Sequence, residues 1–261
     1  MFEKELNSLF ETMISKNYSQ GIQWSIQKDN SNYSGKVGFM NCNQKVPIRH
    51  DTIYRIWSMT KPIIAFATII LMERKKVSLD DPIEKYIPEA KNLKVLKIIN
   101  NKNNLENLKR SITIKDLLLH TAGFSYNFLN DPIGKEYEKE KIFHSEELSL
   151  KDEVNKILSL PLLFQPGEKW NYSVSIDVLA RIIEVITNQS IFNFLYENIF
   201  KPLNMSETFF YVDENKRHRI MTSYEFVQKS NKLNEVSYKP QTINNYGYPN
   251  GNTQYARGGH G

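Results

Sequence analysis

The run "PIIAFATIILM", residues 62 to 72, constrains this chain more than any other stretch. It holds a single threonine among apolar residues, so a helix built from it has to be buried on most sides. At eleven residues it is too short to cross a bilayer, which takes about 20. Pro62 fixes where that helix starts. A proline ring clashes with a preceding helical turn and is tolerated only in the first turn, where the N–H groups have no helical acceptor. The helix is therefore expected to begin very near Ser58 and to run to about Lys75. Ser58 and Lys61, three positions apart, then share one helix face.

That pairing carries potential chemistry. A serine hydroxyl is a poor nucleophile near neutral pH unless a base lies within about 2.6–3.2 Å of its oxygen. A lysine amine becomes a better base when apolar surroundings weaken its hold on the proton. The free N–H groups of a helix start favour negative charge developing at the serine. The pair also has a bland reading, a hydroxyl and a solvent-facing lysine at a helix start. Serine three residues before lysine occurs by chance in many proteins.

The rest of the chain reads as a mixed α+β protein. Residues 2 to 16 place Phe2, Leu6, Leu9, Phe10 and Met13 in one helical stripe. Residues 21 to 29 and 33 to 41 alternate around a turn and predict an antiparallel hairpin. Residues 91 to 110 are polar and Asn-rich in the middle and predict an exposed loop. Thr113 and Asp116 are spaced like a capping pair, and residues 149 to 160 repeat that signature before a helix. Residues 124 to 148 read as irregular surface structure. "IDVLARIIEVITN" and "IFNFLYENIF" predict two amphipathic helices, and the pattern after Phe210 is irregular. The chain thus divides into three parts: 1–57 with a helix and hairpin, 58–210 with the Ser58 helix and a mainly helical region, and 211–261, a glycine-rich return segment.

Composition narrows the function. The 34 Lys and Arg against 29 Asp and Glu give a net charge of +5, but the lysines are scattered among glutamates. No basic stripe with interleaved aromatics is present, so nucleic acid is not an expected partner. Cys42 is the only cysteine, which rules out an intrachain disulfide. The first sixteen residues lack the basic-then-apolar pattern of a signal peptide, and a cytoplasmic location without a membrane span is expected.

Tyr172 lies between the Gly167 turn and the next helix. A phenol there can donate to one atom and accept from another, and so relay a proton. Taken together, "RIWSMTKPI", "LLLHTAGF", "LPLLFQPGEKWNYSVSIDVLARIIEVI", "FKPLNMSETFF" and "RGGHG" resemble, in order and spacing, the serine beta-lactamase and penicillin-binding-protein superfamily. They are most similar to its class C-like esterases. The resemblance implies a beta-lactamase-like fold: a mostly helical subdomain and an antiparallel sheet with flanking helices. It implies Ser58 as the acylated serine, Lys61 as its partner and Tyr172 as the tyrosine joining them in proton transfer. It also implies ester or amide substrates with neither metal nor cofactor. Beta-lactamases carry Asn two residues after that tyrosine, whereas this chain has Val174, which favours esters or small amides over lactams. The family's third motif, a strand with the second oxyanion N–H, is expected beyond Gly261, together with further strands and a final helix. On that expectation the sheet is incomplete, activity is impaired, and a second copy can pair along the exposed sheet edge. The alternatives are a beta-lactamase or penicillin-binding peptidase, and a catalytically incomplete binding protein or remnant.

Six residues are candidates for contact with substrate: Trp57, Phe124, Tyr126, Trp170, Val174 and His260. Burial explains the aromatic ones equally well. Phe128 joins Tyr126 as a candidate for an acyl pocket. His50, His120, His144 and His218 fit no nucleophile-elbow or metal spacing and are read as structural or surface residues. Asp177, in the first turn of a helix, is read as helix-end electrostatics.

Overall fold

The structure is a computed structural model that describes residues 2–100, 102–142, 148–236 and 257–259. These fall into two compact units, residues 2–55 with 213–236 and residues 56–212 with 257–259. The first unit opens with helix α1 (Phe2–Ser15) and strands β1 (Gly21–Lys28), β2 (Ser31–Asn41) and β3 (Val46–Pro47). The strands form one antiparallel sheet of order β1-β2-β3. Lys28 lies opposite Ser31 and Gly21 opposite Gly38, so the expected hairpin is present with Asp29 and Asn30 as its turn. One expectation about α1 needs correcting. Leu9 is 55% exposed, and Asn7 takes the inward place, accepting a 2.9 Å hydrogen bond from the indole N–H of Trp24. Phe10 closes over the same ring at 6.4 Å. A polar residue serves on this face because a buried indole N–H needs an acceptor.

The second unit contains α2 (Thr60–Glu73), β4 (Lys94–Ile99), β5 (Lys102–Asn107), α3 (Ile114–Leu118), α4 (Pro132–Lys139), α5 (Leu150–Leu158), α6 (Ser175–Thr187) and α7 (Ile191–Leu195). Its core is organised around α6, which packs against α2, α3, α5 and α7. The sequence predicts an amphipathic helix here. That helix is present, with Arg181 and Glu184 turned partly outward in its later turns, but every residue from Ser175 to Ala180 is buried because neighbours approach from several sides. The chain then returns to the first unit as a second hairpin, β6 (Tyr224–Val227) and β7 (Lys232–Glu235). This segment is tied to the N-terminal part by main-chain bonds. The Met221 N–H donates to the Ile53 carbonyl at 2.9 Å and the Thr222 N–H to the Met40 carbonyl at 3.0 Å. Among the described residues no helix is long and apolar enough to cross a membrane.

Three segments expected to be irregular are ordered. Residues 94–107 form the β4–β5 hairpin, and Leu96 and Lys94 exchange main-chain bonds with Leu162 at 2.9 and 2.8 Å. That distant partner supplies the pairing that an Asn-rich stretch does not announce. Within 124–148 stands α4, with Pro132 in its first turn and Asp131 as N-cap, whose carboxylate accepts the N–H groups of Ile133 and Gly134 at 2.9 and 2.8 Å. An aspartate followed by proline is a helix-start signature. Residues 224–235 form the β6–β7 hairpin.

The Thr113–Asp116 capping box is present at α3, and Asp116 does more than cap. Its almost buried carboxylate accepts from Arg110 at 2.6 and 2.8 Å and from the hydroxyls of Thr113 and Thr121 at 2.9 Å. Burial works against ionisation, but these donors outweigh it and hold the carboxyl at about 2, against an ordinary 3.8. The depressed folded-state value makes the stabilisation complete above the ordinary aspartate value and lost as pH falls through the folded one. Because Arg110 is half-exposed and screened, Asp116→Asn is expected to cost about 2 kcal/mol at pH 7. In urea titrations the gap between this variant and the unaltered chain should close as pH drops from about 4 to about 2.

Candidate active site

The chain enters α2 through a left-handed residue, Trp57, with φ at 46°. A bulky side chain holds that conformation only where its surroundings enforce it, at about 1–2 kcal/mol. A short 3₁₀ turn, Trp57–Met59, follows and runs into α2. Ser58 is exposed at this turn, and Pro62 sits in the first turn of the α-helix. The early N–H groups of such a turn lack helical acceptors, which leaves the Ser58 main-chain N–H able to bind an oxyanion. Trp57 itself is half-buried.

Two side chains converge on that of Ser58, all three within the second unit. The Lys61 Nζ donates to Ser58 Oγ at 3.3 Å, and the Tyr172 hydroxyl donates to the same oxygen at 2.7 Å. Lys61 Nζ also donates to the Gly259 carbonyl at 2.5 Å and lies 4.7 and 5.4 Å from the ring centroids of Tyr172 and Tyr126. Those ring faces attract a cation and fill the space on its flanks. A hydroxyl held between these two groups can pass its proton to whichever of them stands deprotonated, and its oxygen can then attack a carbonyl carbon.

The tyrosine is aimed by the main chain. Residues 163 to 174 lie along residues 120 to 125, the "HTAG" segment extended by Phe124 and Ser125. Leu163 N–H donates to the Gly123 carbonyl at 2.7 Å, Gly167 N–H to Thr121 at 2.8 Å, Asn171 N–H to His120 at 3.0 Å and Val174 N–H to Ser125 at 3.2 Å. Gly123 is required there. Its φ of 95° is left-handed, and a Cβ would stand 2.4 Å from the Phe164 carbonyl oxygen. His120 completes the brace. Its Nδ1 accepts the Ser173 N–H at 3.2 Å, and its ring lies 5.2 Å from that of Tyr172. Burial, followed by the charge of Lys61, lowers the imidazole to about 4, so His120 is neutral at physiological pH and adds no second cation beside Lys61.

The substrate-contact candidates separate clearly. Tyr126, 2% exposed, stacks on Phe128 at 4.8 Å and stands 5.2 Å from Tyr172, forming a wall behind Lys61. Trp170 is 68% exposed and stands at the rim, edge-on to His120 at 6.4 Å. Phe124 and Val174 are corrections: both are fully buried in the core cluster and present no surface to a ligand. Their main chains, not their side chains, serve the site, since the Phe124 carbonyl accepts from the Asn171 side chain at 3.0 Å. His144 and His260 lie outside the described residues. The Gly259 carbonyl is the contributor that residue-type reasoning overlooked, because a main-chain oxygen has no sequence signature, while His120 has the structural role read for it. Among the described residues no group of three or more His, Cys, Asp or Glu side chains could hold a metal ion.

The family model described as Beta-lactamase matches residues 6–252. An uncharacterized protein of Mycobacterium tuberculosis is 31% identical over 207 residues, which are 78% of this chain and 51% of that protein. Esterase EstB of Burkholderia gladioli is 31% identical over 177 residues, 67% of this chain and 42% of that one. The chain thus spans about half the length of the curated relatives it matches. Among solved structures, unliganded simvastatin synthase from Aspergillus terreus superposes with a TM-score of 0.79 at 23% identity, covering 99% of this chain and 64% of that one. At that identity the likeness is one of fold.

The bond accepted by His120 gives a direct check. In a proton NMR titration the His120 ring is expected to remain neutral through pH 6 and to take up its proton near pH 4. A midpoint near the ordinary 6.5 would mean that the ring is not packed beside Lys61 as described.

Proposed function

The chain belongs to the beta-lactamase family, and from that premise we propose that it is a serine hydrolase cleaving an ester or small amide through an acyl-Ser58 intermediate. The observation that carries the reading is the approach of Tyr172 and Lys61 to one oxygen, at 2.7 and 3.3 Å from Ser58 Oγ. In this reading the Tyr172–Lys61 pair acts when it carries one proton fewer than its full complement, and it takes the Ser58 hydroxyl proton as Oγ bonds to the substrate carbonyl carbon. The resulting oxyanion rests on the Ser58 N–H, a donor worth about 3 kcal/mol in the transition state. The tetrahedral adduct collapses, the bond to the leaving alcohol or amine breaks, and the pair returns the proton to that leaving group. Water, or an acceptor alcohol, then attacks the acyl-serine by the same route in reverse.

We place the chain with the class C-like esterases of the family. Val174 cannot offer a side-chain amide to a lactam, and its burial keeps even its apolar surface out of reach. Relatives named as an esterase and as acyltransferases favour the same subgroup. The exposed rings of Phe128 and Trp170 suit an apolar acyl or alcohol group.

A fluorophosphonate or activated-ester probe should add one mass label to Ser58 and none to Ser58→Ala. Tyr172→Phe should slow that labelling about 10²–10⁴-fold, the range for removing a proton-transfer group. A folded sample that neither takes the label nor turns over short-chain nitrophenyl esters would sink the reading. A penicillin retained on Ser58 without ester turnover would favour the peptidase alternative.

A further inference from the structure

We propose that Asp177 is a positioning residue for this site: it seats the Gly258–Gly259 turn, whose carbonyl in turn fixes Lys61 beside Ser58. The role rests on the hydrolase reading above and adds to it a residue that never touches substrate. Asp177 stands in the first turn of α6 with no exposed surface. Its Oδ1 accepts the main-chain N–H of Gly258 at 3.1 Å and that of Gly259 at 2.8 Å. The carbonyl of Gly259 accepts from Lys61 Nζ at 2.5 Å, and Lys61 reaches Ser58 Oγ at 3.3 Å. One buried carboxylate is thus linked to the nucleophile through a single glycine and a single amine.

Helix-end electrostatics does not account for this placement. Buried carboxylates are costly, and Asp177 Oδ2 has no hydrogen-bond partner among the described residues. Burial raises the carboxyl's pKa against the opposing pull of Lys61, the Gly259 N–H, Arg257 and the Gly258 N–H. A core that only needed packing would be better served by an apolar side chain. The turn is also fitted too closely to α6 to accept any side chain. A Cβ on Gly258 would meet the Ile176 carbonyl oxygen at 2.3 Å, and one on Gly259 would meet Asp177 Oδ2 at 2.4 Å and the Tyr126 hydroxyl at 2.6 Å. A second anchor lies one residue earlier, where buried Arg257 pairs with buried Glu153 of α5 at 3.3 Å.

A lysine needs such a seat because its amine rides on a flexible stem with about 2 kcal/mol of rotamer entropy. A shift of ~1 Å at a reacting group can cost about 10²-fold in rate. Asp177→Ala is therefore expected to lower the limiting rate of Ser58 acylation by a small ester probe about 10²-fold, with the half-saturating probe concentration unchanged. Asp177→Asn keeps an acceptor oxygen in the same place and should restore most of that rate. Leu195→Ala, a core variant of α7, controls for stability: brought to the same fall in Tm, it should acylate at the unaltered rate. If Asp177→Ala does not fold, Gly259→Ala, which keeps the aspartate but drives a Cβ against its Oδ2 and so displaces the turn and its carbonyl, should show the same selective loss. Several outcomes overturn the role alone. They are labelling of the unaltered chain matched by Asp177→Ala (or by Gly259→Ala, where that variant stands in), an equal loss in Leu195→Ala, or a loss confined to half-saturation. Failure of the unaltered chain to label at Ser58 overturns the hydrolase reading and this role with it.

Discussion

The hold on the Lys61 amine is the constraint on which the rest of the site depends. A lysine nitrogen in water is mobile and strongly hydrated. Here it is pinned between a serine oxygen and a main-chain carbonyl, with two tyrosine rings beside it. Each neighbour has its own support. The serine stands at the start of a helix whose first turn is fixed by a proline and preceded by a left-handed tryptophan. The carbonyl sits on a turn bonded to a buried aspartate. The rings are set by a loop strapped along the "HTAG" segment.

This arrangement explains why so much of α6 is buried. A helix with one wet face could not have the tyrosine loop, the Ser58 helix and the glycine turn beside its first two turns. Its polar residues there, Ser173 just before it, then Ser175 and Asp177, all find partners inside the protein. The two serine hydroxyls bond to each other and Ser173 to the His120 ring, while Asp177 satisfies the main-chain N–H groups of Gly258 and Gly259. The neutral His120 belongs to the same economy of charge. By accepting an N–H through an unprotonated nitrogen, it braces the loop without adding a charge of its own beside Lys61.

Local rules reached a good part of the fold. The start of α2 follows from Pro62, the start of α3 from Thr113 and Asp116, and the first hairpin from alternation around Asp29 and Asn30. These succeed because a cap, a turn or a proline acts within a few residues. The failures have the opposite character. β4 and β5 are polar at their junction, and Leu96 owes its main-chain pairing partly to Leu162, far along the chain. The β6–β7 segment depends on Met40 and Ile53 from the other end of its unit. Leu9 lost its inward place to Asn7 because Trp24 needed an acceptor, which helical periodicity cannot register.

For the site, the sequence by itself determined what one helical turn can determine: that Ser58 and Lys61 share a face, and that an apolar helix begins very near Ser58, just ahead of Pro62. Its resemblance to a family added Tyr172, which no spacing rule would have joined to a serine so distant in the chain. Only the tertiary structure decided the remainder. It sent Phe124 and Val174 into the core while keeping Tyr126 against the amine, because inward and outward directions on a loop depend on what packs against it. It also brought a glycine carbonyl and a buried carboxylate behind Lys61. Main-chain oxygens look alike in every sequence, and only folding selects which one faces a buried nitrogen.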